Sequence, residues 1–143
     1  MIFRIGLGLL ASSLFLVAQT GTKSLRDDRG RCTAAVPATA SLALPYIAKG
    51  PGGSLLAILE WENDEYKVMS PAEVKEMKYA QVLENTSKRQ ILENDKSKVT
   101  PGTRVFHVYA PAPGGRCHVS ITIKAPEIEA TMKQIAASLA PLK

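Results

Sequence analysis

Apolar and polar residues alternate most regularly in the segment CHVSITIK, residues 117–124. A period of two is typical of a β-strand with one buried face and one solvated face. The preceding segment RVFHVYA, residues 104–110, predicts a second strand, and we expect the two to form a hairpin through a loop at residues 111–116. Cys117 then belongs to the buried face, whereas His118, Ser120, Thr122 and Lys124 belong to the solvated face.

The middle of the chain predicts a second hairpin. Residues 55–61, LLAILEW, are apolar enough for a buried strand, and Tyr66 to Met69 would return beside it after an acidic turn. Residues 100–103, Thr-Pro-Gly-Thr, predict a type II turn. Residues 79–99 show no regular period, so two short strands and a frayed helix both stay open, as do a helix and an extended segment for residues 38–44.

Two helices are predicted by their ends. Ser70 and Glu73 form a capping box around Pro71, so a helix begins at Pro71 and ends between Met77 and Glu84. A second helix follows Pro126 and is stopped by Pro141. Its apolar positions fall on one face, which we expect to pack on the buried side of the sheet: Ile128, Met132, Ile135 and Leu139.

These elements predict an α+β fold. It consists of a small antiparallel sheet of four to six strands, with the C-terminal amphipathic helix on one face. The length of 143 residues is that of a single domain, which we assign to residues 32–143. Residues 19–31 are polar and without a period, and they predict a flexible leader.

The first eighteen residues predict a secretory signal peptide. Arg4 precedes an apolar run from Ile5 to Ala18, and cleavage is predicted after Ala18. The run is short for a membrane span, so we expect no stable span after cleavage, although an uncleaved anchor is the alternative. The predicted location is the periplasm or the extracellular space.

The two cysteines, Cys32 and Cys117, predict one disulfide. An even pair in an oxidising compartment is usually bridged. The competing hypothesis is a reactive Cys117–His118 pair. Neighbours on a strand point to opposite faces, which disfavours activation of the thiol by the imidazole.

Composition narrows the function classes. The net charge is +5 and no basic stripe is interleaved with aromatic residues, so nucleic-acid binding is not indicated. The acidic turn at residues 60–65 fits no calcium-loop spacing, and a solvated turn is the simpler interpretation. Asn85 begins a glycosylation sequon whose use depends on the host.

Candidate chemistry is sparse. The chain contains only two histidines, His107 and His118, so a two-histidine zinc site is a weak hypothesis and no metal or cofactor is predicted. We expect a non-catalytic binding or accessory protein, of the inhibitor or immunity type, that binds another envelope or extracellular protein. The alternative is a small hydrolase or thiol-dependent enzyme that uses Cys117 with His107 or His118. The candidate binding residues are Trp61, Tyr66, Arg116, His118, Ser120 and Thr122.

Overall fold

Ten β-strands and two α-helices lie in residues 21–124 and 128–143, the part of the chain that the computed structural model describes. The predicted signal peptide, residues 1–18, is outside these ranges, as are Pro126 and the side chain of Ile128. The strands are β1 Thr22–Arg26, β2 Cys32–Pro37, β3 Ser41–Leu44, β4 Ile47–Lys49, β5 Leu55–Glu62, β6 Ala80–Asn85, β7 Gln90–Asn94, β8 Thr103–Ala112, β9 Gly115–Lys124 and β10 Ala140–Pro141; the helices are α1 Pro71–Glu76 and α2 Ile128–Ser138.

The strands form two antiparallel sheets. One has three strands in the order β1-β2-β10, and the other has seven in the order β3-β4-β5-β9-β8-β7-β6. The predicted α+β fold with a single sheet of four to six strands is therefore wrong, because half of the described residues are in strands and they build two sheets. The error has a local cause: the proline- and glycine-rich residues 33–54, which lack a simple period, form most of β2, β3 and β4.

The segment expected to be a flexible leader is ordered where the structure describes it. Residues 21–31 contain β1 and a turn in which Asp27 is 3% exposed. The Asp27 carboxylate accepts hydrogen bonds from the backbone amides of Arg31 and Cys32, both at 2.6 Å. A buried carboxylate with backbone donors fixes the turn, which places Cys32 at the start of β2.

The core lies between the two sheets. The seven-stranded sheet has an inner face, which meets the three-stranded sheet and α2, and an outer face, which points away from them. Cys32 and Cys117 form the predicted disulfide across this core, with 5.7 Å between their Cα atoms. Both are fully buried, as is Phe106 on the inner face of β8. The bridge therefore joins the middle strand of one sheet to the middle strand of the other.

The predicted C-terminal helix is present as α2 and packs against β2 and β9. Its positions Met132 and Ile135 are buried, as is Leu139 just beyond its end. The Ser138 hydroxyl accepts a hydrogen bond from the Ala35 amide at 2.7 Å, which ties the end of the helix to β2. The chain then continues into the two-residue strand β10, where Pro141 pairs with Cys32.

The predicted hairpin of residues 55–61 with Tyr66–Met69 is wrong. Strand β5 pairs with β4 and β9, and residues 65–70 have no regular structure. Side chains of the β6–β7 hairpin hold this segment instead: Gln90 donates to the Lys67 carbonyl at 2.6 Å, and Asn85 pairs with both the amide and the carbonyl of Met69 at 2.9 Å. Hydrogen bonds from polar side chains thus replace the expected strand ladder.

Other local predictions are confirmed. Helix α1 begins at Pro71 with the Ser70–Glu73 capping box formed, although it ends at Glu76, just before the expected range. Gly102 has a φ of 82°, as the third residue of the predicted turn requires. The open question about residues 79–99 is answered by a hairpin of β6 and β7. In the described residues no helix has the length and apolar character needed to cross a membrane.

Candidate functional site

A hydrogen-bonded polar cluster occupies the outer face where β5, β9 and β8 lie side by side. Glu62 is the last residue of β5 and pairs directly with Arg116 on β9. The Arg116 Nε atom donates to Glu62 Oε1 at 2.7 Å, and the other carboxylate oxygen, Oε2, lies 2.8 Å from Nδ1 of His118. One carboxylate therefore links a guanidinium and an imidazole.

Gly115 allows β5 and β9 to approach closely at this end. A Cβ atom on Gly115 would lie 2.9 Å from the Trp61 ring and would overlap the Glu62 carbonyl oxygen. Carbon atoms in contact normally keep a greater separation, so any side chain here would push the strands apart. The glycine thus sets the alignment of Glu62 with Arg116.

The cluster continues from β9 to β8 through the two histidines. Nε2 of His118 is 2.9 Å from Nδ1 of His107, and Ser120 Oγ lies 3.4 Å from the same nitrogen of His107. The register explains the contact, because His107 pairs with Ser120 and Tyr109 pairs with His118. Residues directly opposite on an antiparallel pair share a face and are close neighbours.

Tyr109 stacks over the centre of the cluster. Its ring lies parallel to that of His118 with 4.4 Å between the centroids, and Arg116 Cζ is 4.3 Å from the Tyr109 centroid. Burial, followed by the charge of Glu62, raises the pKa of Tyr109. The aromatic ring therefore packs against both His118 and Arg116, and its hydroxyl stays protonated at neutral pH.

The ionisation of the cluster follows from burial and from Arg116. Burial alone would raise the pKa of Glu62, but the hydrogen bond from Arg116 and the electrostatic interactions with His118 and Arg116 together outweigh burial and lower that pKa. Burial lowers the pKa of both His107 and His118, although Glu62 opposes this effect. At neutral pH the cluster therefore contains a carboxylate, a guanidinium and two neutral imidazoles.

These charge states assign the protons of the histidines. The Nδ1–H of His118 donates to the Glu62 carboxylate, which leaves Nε2 of His118 as an acceptor. The Nδ1–H of His107 donates to that acceptor, so Nε2 of His107 has a free lone pair. His107 is partly exposed, and this nitrogen is the point at which the cluster can accept a hydrogen bond from outside.

The arrangement differs from a hydrolytic triad. In a triad one histidine contacts the acid through one nitrogen and the nucleophile through the other. Here Glu62 contacts His118, and Ser120 lies near a nitrogen of His107 that already faces His118. The thiol of the alternative hypothesis is also absent, since Cys117 is bonded to Cys32 and lies on the opposite face of β9 from His118.

Three side chains could offer ligand atoms to a metal ion. Atoms of Glu60, Glu62 and His118 lie within 4.8 Å of one another. The Arg116 guanidinium, however, already neutralises Glu62 and would repel a divalent cation. The two-histidine zinc hypothesis fits less well, because nitrogens that share a tetrahedral zinc lie about 3.3 Å apart with the ion between them. His107 and His118 instead face each other directly at 2.9 Å.

The structure brings together four of the six candidate binding residues. Arg116, His118, Ser120 and Thr122 alternate along the outer face of β9. His118 is only 8% exposed, so it supports the surface more than it forms it.

Trp61 and Tyr66 lie elsewhere. Trp61 pairs with Cys117 at the rim of the inner face, where the guanidinium carbon of Arg31 is 4.1 Å from its ring centroid. Its indole nitrogen is buried and has no hydrogen-bond partner among the described residues. Tyr66 donates its hydroxyl proton to the carbonyl of Thr86 on the β6–β7 turn. The hairpin that would have placed these two aromatics on one surface is not formed.

The sequon asparagine is engaged within the fold. Besides its two bonds to Met69, the Asn85 side-chain oxygen is 3.1 Å from Nε2 of Gln90. These bonds hold the β6–β7 hairpin to residues 67–69, and a glycan on Asn85 would replace one of the two hydrogens of the Nδ2 atom that donates to Met69.

Sequence reasoning missed Glu62 and Tyr109 as members of the cluster. The position of Tyr109 could have been found from the turn, because a two-residue connection at Pro113–Gly114 fixes the β8–β9 register. Glu62 and Arg116 are far apart in the sequence, and no local sequence pattern predicts that they pair.

Comparisons with known proteins give no family or relative: no family model matches the chain, and no curated protein or solved structure matches it either.

Proposed function

We propose that this chain is an exported, non-catalytic binding protein whose outer face contacts another envelope or extracellular protein. The main observation in support of this proposal is the polar cluster on the outer face. Its acid, guanidinium and imidazoles are bonded to one another, which makes a rigid surface with few reactive groups left over. Rigid, preorganised surfaces bind with a smaller loss of conformational entropy.

The surface around the cluster has the mixed character of a protein interface. A row of half-exposed side chains crosses the outer face at the level of His107 and Ser120, with aliphatic residues on both sides. Aromatic and arginine side chains, here Tyr109 and Arg116, are typical anchors of such contacts. The aliphatic members of the row are Ile47, Ile58, Leu92 and Val82.

A pair of matched variants tests the surface. Ile58→Glu places a charge in the half-exposed row, whereas Leu83→Glu places the same charge on an exposed position of the edge strand β6. In pull-downs from envelope extract, we expect the wild type and Leu83→Glu to recover one dominant protein and Ile58→Glu to lose it. Recovery of no protein by the wild type, with a small molecule copurifying instead, would contradict the proposal.

Export has its own test. The disulfide and the apolar N-terminal run both support an oxidising location outside the cytoplasm. Intact-mass measurement of the protein from its native envelope or medium should give a chain that begins near Gln19. Both cysteines should react with an alkylating reagent only after reduction. A full-length chain with free thiols would contradict export.

A small hydrolase is the second candidate, and one observation favours it: the free lone pair on Nε2 of His107 could act as a general base. It predicts that His107→Ala abolishes a hydrolytic activity without lowering the thermal stability. If His107→Ala and His118→Ala both keep wild-type function, the enzymatic alternative is excluded.

A further inference from the structure

A second candidate site lies toward the opposite end of strand β9 from Arg116. It is a cavity of about 460 Å³ between the β2–β3 turn, the β4–β5 loop, the C-terminal end of β9 and helix α2. Small-molecule sites have volumes of roughly 300 to 1,000 Å³, so this cavity is of the right size. It shares only Thr122 with the candidate binding residues, and the inference does not depend on the proposed function.

The wall of the cavity is mainly apolar. Leu56 and Ile123 contribute from the neighbouring strands β5 and β9, and Pro37 and Ala40 contribute from the β2–β3 turn. Leu55 also lines the cavity and is 42% exposed, so a large apolar side chain there remains in contact with water. An apolar ligand would cover this surface, and burial of apolar area is the main driving force for such binding.

The charge contributed by the described lining of the cavity is positive. Lys124 is part of the described lining, which contains no aspartate or glutamate. A second lysine stands beside it, because Lys23 donates from Nζ to the carbonyl oxygen of Ala40, a lining residue, at 2.7 Å. Two ammonium groups next to an apolar cavity favour a ligand with a negative charge at one end.

We propose that this cavity binds a small amphipathic carboxylate, with its apolar chain against Leu55, Leu56 and Ile123 and its carboxylate near Lys124. The hydroxyl groups of Thr39, Ser54 and Thr131 in the lining supply additional hydrogen-bond donors. A neutral ligand of the same shape keeps the apolar contacts and loses the ionic one. A cationic ligand loses the ionic contact and is repelled by the lysines.

Titration of the full chain with three probes of equal chain length tests the charge preference. Decanoate, decanol and decyltrimethylammonium are added in turn, with binding followed by calorimetry and by backbone amide shifts. We expect saturable binding of decanoate, with decanol weaker by about threefold to fivefold, since an exposed ion pair contributes up to about 1 kcal/mol. Equal binding of decanoate and the ammonium probe would overturn the carboxylate assignment.

Matched variants test the location. Leu55→Asp and Leu83→Asp introduce the same charge at positions of equal exposure, 42% and 41%, but only Leu55 lines the cavity. We expect Leu55→Asp to weaken decanoate binding by about tenfold or more, through lost apolar contact and charge repulsion, and Leu83→Asp to leave it unchanged. Lys124→Gln should bring decanoate down to the affinity of decanol, with Lys75→Gln as its control.

These experiments distinguish binding in the cavity from binding on the outer face. Amide shifts caused by decanoate should be confined to residues that line the cavity and their neighbours. Shifts centred on His107 and Tyr109, or equal effects of the Leu55 and Leu83 variants, would overturn the proposal. None of these results changes whether the outer face binds a protein.

Discussion

The two faces of strand β9 differ in the interactions that their side chains make. On the inner face Cys117, Val119 and Ile121 are fully buried among other apolar side chains. On the outer face the alternate positions, such as Arg116 and His118, are satisfied by ion pairs and hydrogen bonds. Burial of apolar surface stabilises the fold through the inner face, and it requires no polar network on the outer face. The arrangement of the outer cluster is therefore the better guide to function.

The largest effect on stability is expected from a change on the inner face. Cys32→Ala with Cys117→Ala removes a bridge between cysteines separated by 85 positions in the sequence. Without the bridge the unfolded chain gains conformational entropy, which should lower the free energy of unfolding by about 4.5 kcal/mol. Measured losses on removal of a disulfide are usually between about 2 and 5 kcal/mol. Denaturant unfolding of the double variant checks this value. An unchanged free energy of unfolding would show that the bridge adds nothing to the contact between the sheets.

The ion pair at the edge of the inner face should give the next largest effect. Glu93 is 3% exposed and is held by two nitrogens of Arg104, each 2.6 Å from a carboxylate oxygen. Arg104→Met leaves the Glu93 carboxylate buried without its partner, and we expect the free energy of unfolding to fall by about 3 kcal/mol. This is the lower end of the range for buried pairs, because Arg104 is itself partly exposed.

The matched control for this pair is the double change Glu93→Leu with Arg104→Met. It leaves no buried charge unpaired, so its stability should lie near that of the wild type. Denaturant unfolding distinguishes the two variants. If the double variant is as unstable as Arg104→Met alone, the pair contributes through packing and not through charge.

On the outer face we expect a dependence of stability on pH. Burial holds the pKa values of His107 and His118 below the ordinary 6.5, so below that pH the unfolded chain binds protons that the folded chain does not. The free energy of unfolding should therefore fall as the pH is lowered through the ordinary histidine pKa of 6.5, and it should stop falling below the folded-state pKa values of the two histidines. The double variant His107→Gln with His118→Gln should show a smaller decrease in this window.

A second, separate decrease is expected at lower pH. The pKa of Glu62 lies below its ordinary 4.5, so the stability that this carboxylate contributes is lost only as the pH falls through its folded-state value. Glu62→Gln should make this second decrease smaller, with the rest coming from Glu93, whose pKa the hydrogen bond from Arg104 also lowers. It should enlarge the histidine decrease, because Glu62 no longer opposes the lowering of the His107 and His118 pKa values. Equal pH profiles for the wild type and the histidine double variant would contradict the assignment of the upper window.

Two serines, one on each side of the sheet, give the smallest effects and the sharpest contrast. Ser138 accepts from the Ala35 amide and donates to the Ile135 carbonyl, both at 2.7 Å, so Ser138→Ala should cost about 1 kcal/mol. Ser120 has only a 3.4 Å contact with His107, so Ser120→Ala should change stability by less than about 0.5 kcal/mol. Thermal melts compare them. A larger loss for Ser120→Ala would mean that its hydroxyl is an essential member of the outer cluster.

Sequence patterns correctly predicted the features that depend on interactions between residues close in sequence. The alternation from Cys117 to Lys124, the capping box at Ser70 and the apolar face of α2 each depend on residues close in sequence, and each is found in the structure. The disulfide followed from the number of cysteines and the predicted compartment. These features needed no knowledge of which strands become neighbours.

Pairings between distant segments could not be predicted in the same way. Strand β5 pairs with β9 across more than fifty residues, and the intervening segment is held by side-chain bonds to Gln90 and Asn85. The three-stranded sheet joins the two ends of the described chain, with β10 only two residues long. Short strands that contain proline carry little signal of their own, so the second sheet, and with it the correct fold class, was missed.

Site-specific photocrosslinking would decide whether the outer face contacts a protein partner, as we propose. A photoreactive phenylalanine analogue replaces Tyr109, on the outer face, or Tyr79, which is 79% exposed and lies before β6. In the native host, irradiation should give one discrete protein adduct from position 109 and none from position 79, with both variants folded as judged by thermal melts. The absence of an adduct at position 109, or the same adduct from both positions, would show that the outer face is not the surface that contacts a partner.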